Sequence, residues 1–255
     1  MEMIVGKALF FGIVTSLVSL SVSAGGETPQ QAISSAEQLV VVITDGWQST
    51  TGELRRYQRD GQSGWVEVAE ITEVVVGKNG LAWGRGLHGD LPADAIRKRE
   101  GDGKAPAGLF ALGEVFGYAA ATEGTVASLK MPYRAAGSET VCVDDPASEF
   151  YNRITERQAG GGVPWKSAEK MRRRDHLYRW GVVVEHNGAE VEAGAGSCIF
   201  LHVWRAAKRP TVGCTALAEE DIEALIGWLD SDSHPLLVQL PKEVYEQRRE
   251  AWGLP

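Results

Sequence analysis

The chain has 255 residues, of which 44% are hydrophobic and 24% are charged, so it can bury a full core and is not an intrinsically disordered protein. Its formal net charge of −8 at pH 7 gives no electrostatic reason to bind the phosphates of nucleic acid. We therefore exclude nucleic acid as a partner.

The N-terminus carries the pattern of a secretory signal. An apolar run over residues 8–20 is followed by small residues up to Ala24, and it is shorter than the roughly 20 apolar residues of a membrane-spanning helix. This predicts a signal peptide over residues 1–24, export to the periplasm or cell wall, and no stable membrane span after processing. The alternative is an uncleaved anchor, because Glu2 weakens the positive character of the start. Residues 25–38 are rich in Gly, Gln and Ser and are predicted to be a linker.

From Leu39 onward the pattern is mainly β, and one domain over residues 39–255 accounts for it. Short β-branched segments separated by turn signals such as Asn79-Gly80 predict antiparallel strands near residues 40–43, 54–58, 65–68 and 74–76. Further along, the pattern predicts strands at 109–116, 178–184 and 236–240, and helices at 167–174, 218–230 and 242–252.

The chain has three cysteines, so at least one cannot be paired within the molecule. Cys214 follows Gly213 and is the candidate for the free thiol, because a glycine lets a substrate approach the backbone closely. Cys142 and Cys198 lie in apolar, strand-like runs. They can form a disulfide or stay unpaired as small buried apolar residues, and we favour the unpaired alternative.

Cys214 and His202 form a candidate catalytic pair. His202 lies in an apolar strand-like run, and Cys214 follows it by twelve residues in the segment Pro-Thr-Val-Gly-Cys-Thr. A free thiol has a pKa of about 8.5 and is mostly protonated at neutral pH, so a thiol nucleophile needs a base such as an imidazole. The pair predicts a cysteine nucleophile with a histidine proton acceptor, and the Gly213 backbone amide is a candidate oxyanion donor.

We consider several other polar residues as candidates for binding the substrate or a metal ion. Arg205, Thr211 and Thr215 flank the pair and are candidates for binding the substrate. Arg172 is either a solvated helix end or a ligand of a substrate carboxylate. No metal or other cofactor is expected, because metal-ligand spacings such as Cys-x-x-Cys and His-Glu-x-x-His are missing from the sequence. The remaining histidines are predicted to be structural: His88, His176, His186 and His234.

These motifs resemble the YkuD-type L,D-transpeptidase catalytic domain, in a divergent branch of short exported proteins. The resemblance spans roughly residues 39–240 and rests on Leu201-His202, on Thr211-Val212-Gly213-Cys214, and on the turn before Phe110. The phrases at 172–181 and 196–202 also match that branch. The family signature commonly has a histidine where this chain has Val212 and an arginine where it has Ala216, and its histidine-to-cysteine interval is usually a few residues longer.

The resemblance implies an α+β fold that is mainly β, a β-sandwich with antiparallel and mixed sheets. It also implies a cysteine peptidyltransferase that attacks peptidoglycan tetrapeptide stems, releases D-alanine and holds the stem as a thioester at Cys214, with His202 as proton donor and acceptor. The thioester then passes to an amine acceptor. The alternatives are a hydrolase of the same fold and a catalytically idle wall-binding domain.

Overall fold

The computed structural model describes residues 28–61, 64–158, 162–188 and 190–255, so the predicted signal peptide lies outside the described residues. The helices in these ranges are α1 (Pro29–Ser35), α2 (Gly124–Ala127), α3 (Glu219–Trp228) and α4 (Lys242–Trp252). The strands are β1 (Gln38–Thr44), β2 (Thr51–Asp60), β3 (Gly64–Glu67), β4 (Thr72–Val75), β5 (Leu81–Trp83), β6 (Ala105–Gly117), β7 (Tyr133–Ala135), β8 (Thr140–Cys142), β9 (Ile154–Glu156), β10 (Glu169–Lys170), β11 (Trp180–Val184), β12 (Phe200–Val203), β13 (Thr215–Leu217) and β14 (Leu236–Pro241).

The fold is mostly β, as predicted, but its main sheet closes into a barrel-like ring. The strand order is β1, β14, β6, β11, β12, β13, β4 and β2, and β2 pairs again with β1. The predicted β-sandwich is therefore corrected to a closed sheet. The physical reason is that β1 has two partners, β14 in parallel and β2 in antiparallel register, so neither of its edges stays open.

Strand β1 shows why the barrel holds together. Its residues 39–42 are fully buried on both faces of the sheet. Val40 and Val42 pack into the cluster that fills the barrel, whereas Leu39 and Val41 pack outward under α1 and α4. Because successive strand side chains alternate between faces, a strand covered on both sides is a continuous apolar run, which is what the sequence contains here.

The predicted linker over residues 25–38 is wrong for most of its described part. Thr28 caps α1 through its side chain, which accepts the Gln31 backbone N–H at 3.2 Å, and the Gln31 side chain accepts the Thr28 backbone N–H at 2.8 Å. Ala32 and Ile33 are buried against the barrel. A reciprocal capping box followed by two apolar residues is enough to nucleate a docked helix within a polar composition.

The predicted helix at residues 167–174 is also wrong. Glu169 and Lys170 form β10, which pairs with β8 in a second sheet of order β10, β8, β9. The charged residues in this segment suggested helix-end electrostatics, but they lack the apolar stripe that would hold a helix on the core. Strand pairing with a distant segment therefore decides the local conformation.

Helices α3 and α4 are confirmed near their predicted positions. Ile222, Leu225 and Ile226 bury the apolar face of α3 in the barrel cluster, and α4 ends at Gly253, whose φ of 71° is the left-handed conformation that closes many helices. In the described ranges, every helix is too short or too polar to cross a bilayer.

Cys142 and Cys198 form a disulfide, so the expectation that they stay unpaired is wrong. The bond ties β8 of the second sheet to the segment that leads into β12. Cys198 has a φ of 55°, a left-handed conformation that is uncommon for a residue with a side chain. Its backbone N–H donates to Asn152 Oδ1 at 2.9 Å, which fixes this turn together with the disulfide.

Candidate active site

His202 and Cys214 lie on the same outer face of two neighbouring strands. β12 and β13 run parallel with His202 opposite Ala216, and Cys214 comes directly before β13. Thr215 points into the barrel, where it bonds Gln239, so Cys214 points outward. Because Leu201 packs in the barrel cluster, His202 also points outward.

A layer of aromatic and charged side chains covers this pair. The ring of Tyr178 lies 5.2 Å from the His202 ring and 5.6 Å from the Phe200 ring. Cys214 belongs to the same buried cluster as Tyr178 and the disulfide. His202 and Cys214 each keep only 6% of their surface exposed, so the site is closed in this conformation.

The hydrogen bond of His202 fixes its tautomer. Nδ1 lies 2.8 Å from the Val203 carbonyl oxygen, and because a carbonyl only accepts, Nδ1 is the protonated nitrogen of the neutral ring. In this tautomer Nε2 is the unprotonated nitrogen. The Cys214 Sγ–H donates to the Cys198 carbonyl at 3.5 Å. The backbone of Leu177 also contacts the His202 ring and the backbone N–H of Phe200 also contacts the Cys214 sulfur, so in the described chain backbone groups hold both side chains.

Burial keeps both groups neutral. It raises the pKa of the Cys214 thiol to about 12, and the nearby Glu169 carboxylate acts in the same direction, while the Phe200 backbone N–H, Lys98 and Arg173 oppose it. Burial lowers the pKa of His202 to about 4, partly offset by the hydrogen bond to Val203. At neutral pH the pair is a thiol beside a neutral imidazole, so charge is separated only during a reaction.

The covering layer is held by a charged network that the sequence did not reveal. Tyr178 donates its hydroxyl to Glu169 Oε1 at 2.6 Å. Arg173 binds Asp175 at 2.8 Å and Glu169 at 3.3 Å, and Arg205 binds Asp175 at 3.2 Å. Burial raises the pKa of Glu169 and raises the pKa of Tyr178 well above its usual value. The half-exposed Arg205, a predicted substrate ligand, thus lies at the rim of this layer.

Thr211 and Gly213 form a braced turn in front of Cys214. The Gly213 backbone N–H donates to Thr211 Oγ1 at 3.1 Å, and the Thr211 hydroxyl donates to the Cys214 carbonyl at 2.6 Å. Thr211 therefore holds the loop that ends at Cys214, and the Gly213 amide, the predicted oxyanion donor, is occupied within that loop. A methyl group at Gly213 would lie 3.3 Å from the Lys104 carbonyl oxygen, a close contact that requires one of the two loops to shift by a few tenths of an ångström.

Two predicted substrate ligands lie elsewhere. Thr215 is 2% exposed and donates to Gln239 Oε1 at 2.6 Å inside the barrel, on the opposite face from Cys214. Arg172 donates to the carbonyls of Tyr118 and Ala136, both at 3.2 Å, and stacks over the Tyr118 ring. The expectation that Thr215 faces the substrate is therefore corrected, because its side chain lies inside the barrel. Arg172 connects two segments of the chain and is not the end of a helix.

Replacing Thr215 by valine is expected to lower the free energy of unfolding by about 1–3 kcal/mol, because Gln239 loses its buried donor. Urea titration measures the change. Thr215→Ser keeps the hydroxyl and is the matched control, expected to lose less stability. Equal stability of the wild type and the valine variant would contradict a structural role for this hydroxyl.

The buried histidines have protein partners. His186 Nδ1 accepts the Arg85 backbone N–H at 3.1 Å, and its Nε2 donates to the Ala195 carbonyl at 3.0 Å. His88 similarly accepts from Leu109 and bonds the Gly84 carbonyl. His176 and His234 are exposed. Among the residues the structure describes, His, Cys, Asp and Glu side chains do not gather into a group able to hold a metal ion.

His186 makes the protein sensitive to acid. Burial, together with Lys98, lowers its pKa from the ordinary value to about 3. The unfolded state binds a proton near pH 6.5, so stability is lost as the pH falls from about 6.5 towards 3. Between pH 7 and pH 5 we expect this residue to remove about 2 kcal/mol, measured by urea unfolding at both pH values.

The matched variants separate this contribution from others. His186→Gln is expected to reduce the loss of stability between pH 7 and pH 5 by this amount, while the loss due to His202, whose pKa is also lowered by burial, remains. His176→Gln reports the effect of the same substitution at an exposed site. An unchanged slope in His186→Gln would show that another group causes the acid sensitivity.

A groove of about 600 Å³ opens beside the disulfide. Cys198 and Phe200 form part of its wall, and the carbonyl of Cys198 is the group that contacts the Cys214 sulfur. The rest of the wall mixes aliphatic side chains with polar and charged ones, among them Glu114, Arg134, Asn152, Arg153 and Glu185. Of the cavities found in the described chain, this one shares residues with the cluster around Cys214.

A closed, mostly β sheet that carries a cysteine and a histidine on adjacent strands defines a candidate thiol enzyme. The family model of the YkuD L,D-transpeptidase catalytic domain matches residues 39–240. The chain belongs to this family of peptidoglycan enzymes. No curated protein and no solved structure matches the chain.

Proposed function

We propose that the chain is an exported L,D-transpeptidase in which Cys214 is the nucleophile and His202 the base. The observation that carries the proposal is the shared outer face of His202 and Cys214, with Nδ1 of His202 bound to the Val203 carbonyl and Nε2 left as the basic nitrogen. Membership of a family of peptidoglycan enzymes supports the peptide stems of peptidoglycan as the substrate class.

The first half-reaction forms a thioester. Cys214 Sγ attacks the carbonyl carbon of the third stem residue as its proton passes to Nε2 of His202, and the carbonyl oxygen takes up negative charge. Because the Gly213 amide is bonded to Thr211, the Cys214 amide is our candidate oxyanion donor. When the tetrahedral intermediate collapses, the bond to D-alanine breaks and the leaving amine takes the proton from His202.

The second half-reaction frees the enzyme. An acceptor amine attacks the thioester carbonyl, gives a proton to His202, and receives the acyl group, while the sulfur leaves and regains a proton. Burial of the neutral thiol and imidazole supports proton transfer in step with attack rather than a preformed ion pair. We propose that the Tyr178 layer opens to admit the stem, since each reacting side chain is 6% exposed.

Export to the periplasm or cell wall is part of the proposal. Structural disulfides persist in oxidising compartments, and the Cys142–Cys198 bond supports such a location independently of the N-terminal pattern. The mass of the secreted protein tests it, with a start at Gly25 expected. A mature chain that keeps residues 1–24 would favour the membrane anchor.

The reaction is tested by incubating the purified protein with tetrapeptide muropeptides and an amine acceptor. Crosslinked or exchanged product with release of D-alanine is the expected result. Tripeptide alone would instead identify a hydrolase of the same fold. Sedimentation with peptidoglycan but no product would identify an idle wall-binding domain.

A further inference from the structure

We propose that Lys98 is a positioning residue for Cys214, and that its buried ammonium group stabilises the negative charge that develops on the sulfur during acyl transfer. The inference rests on the proposed function for its role in turnover. The electrostatic effect on the thiol can be measured without any peptidoglycan substrate.

Lys98 lies between the two loops that carry the reacting cysteine and the disulfide cysteine. A methyl group at Gly213 would be 3.8 Å from Lys98 Nζ, and one at Gly196 would be 3.1 Å from its Cε. Both glycines thus let the backbone pass close to this side chain. The Lys98 side chain is only 4% exposed, so water screens its charge weakly.

The ammonium group is anchored at a fixed place. Nζ donates to Asp102 Oδ1 at 2.8 Å and to the Arg99 carbonyl at 3.3 Å, which uses two of its three N–H groups. Asp102 in turn accepts the backbone N–H groups of Arg99 and Lys104, both at 2.8 Å. These additional bonds fix the Asp102 carboxylate in place, so the Lys98 ammonium group that it binds is held in place as well.

In the described part of the chain, the other charged groups around the Cys214 sulfur do not supply a free positive charge that would stabilise a thiolate. Glu169 in the covering layer disfavours a thiolate, and the Arg173 guanidinium in the same layer is bound to Glu169 and Asp175. His202 is neutral at pH 7 because burial lowers its pKa to about 4, and the Tyr178 phenol, whose ordinary pKa is about 10, is neutral as well. The neighbours of the cysteine in the chain, Val212, Thr215 and Ala216, carry no charge. Lys98 is therefore the cation on the Gly213 side of the sulfur.

The test is the rate of alkylation of Cys214 by iodoacetamide across pH 7–10 in the full chain. Cys214 is the free cysteine, so the label reports it directly. Lys98→Met is expected to slow alkylation at a given pH about tenfold, which corresponds to one unit in the thiol pKa, and Lys98→Arg is expected to restore most of the rate. An unchanged rate in Lys98→Met overturns the proposal.

Two further variants distinguish an effect of the Lys98 charge from an effect of a changed loop structure. Lys104→Met removes a lysine of the same loop whose ammonium binds the Asn79 carbonyl, and it is expected to leave the rate unchanged. Asp102→Asn keeps an amide oxygen that can still accept the Lys98 bond but removes the neutralising charge, so it is expected to raise the rate severalfold. Equal slowing in Lys98→Met and Lys104→Met would show a loop effect instead and reject the proposal.

These results are independent of the reaction test. If the protein makes no product from muropeptides but Lys98→Met still slows alkylation, the electrostatic inference stands and the transpeptidase proposal fails. If product forms normally in Lys98→Met, the transpeptidase proposal stands and Lys98 has no part in turnover.

Discussion

Cys214→Ala is expected to reduce product formation from tetrapeptide muropeptides to background, a loss of about 10⁶-fold in kcat on the scale seen when a base-assisted nucleophile is removed. The substitution removes only a sulfur from a buried side chain, so the fold is expected to survive. Separation of the products by chromatography measures the loss, and thermal unfolding checks the fold.

The base is tested in the same assay. His202→Gln is expected to lower kcat by about 10²–10⁴, because general base assistance is lost while the thiol remains. The double variant with Cys214→Ala should be no slower than Cys214→Ala alone, since the two residues act as one unit. His176→Gln, at an exposed position, is the matched control for the histidine and should keep full activity.

A carbapenem gives a readout that is independent of the natural substrate. Opening of its β-lactam ring by the sulfur is expected to add the mass of the drug to the wild type, and none to Cys214→Ala. Peptide mapping should place the adduct on Cys214. Turnover that persists in Cys214→Ala, or an adduct elsewhere, would remove Cys214 as the nucleophile.

Most of the elements that could be predicted from the sequence were predicted from local patterns of apolar residues. The apolar run of β1 and the helical spacing of Ile222, Leu225 and Ile226 record burial within a few residues, so each element was recognisable in isolation. Closure of the sheet is not recognisable from the sequence, because it depends on the pairing of Leu39 with Leu236 at the other end of the chain. Pairings between distant segments leave no mark on either segment alone.

The same distinction explains the candidate site. His202 and Cys214 were predictable because they lie twelve residues apart in one recognisable motif. Tyr178 and Glu169 contact the site through the fold and not through sequence neighbourhood, and Lys98 precedes an ordinary glycine-rich turn. The pairing of Cys142 with Cys198 could not be predicted for a related reason. Cysteines in apolar strand-like runs look alike whether they are paired or merely buried.

Loss of the Cys142–Cys198 disulfide is expected to cost about 4 kcal/mol of unfolding free energy, because the bond closes a loop with a sequence separation of 56 residues. For a domain of this size, that corresponds to a fall of about 8–16 °C in Tm. The measurement compares thermal unfolding of the wild type with that of a Cys142→Ala, Cys198→Ala double variant.

The disulfide also positions the Cys214 thiol. Cys198 has a left-handed φ of 55° and presents its carbonyl to the Cys214 thiol, so its release would let this turn relax and remove the thiol's acceptor. We therefore expect reduction to lower turnover as well as stability. A reductant should lower the Tm of the wild type and leave that of the double variant unchanged. If the wild type keeps its Tm after the bond is fully reduced, the second sheet is held by its other contacts and the disulfide has no structural role.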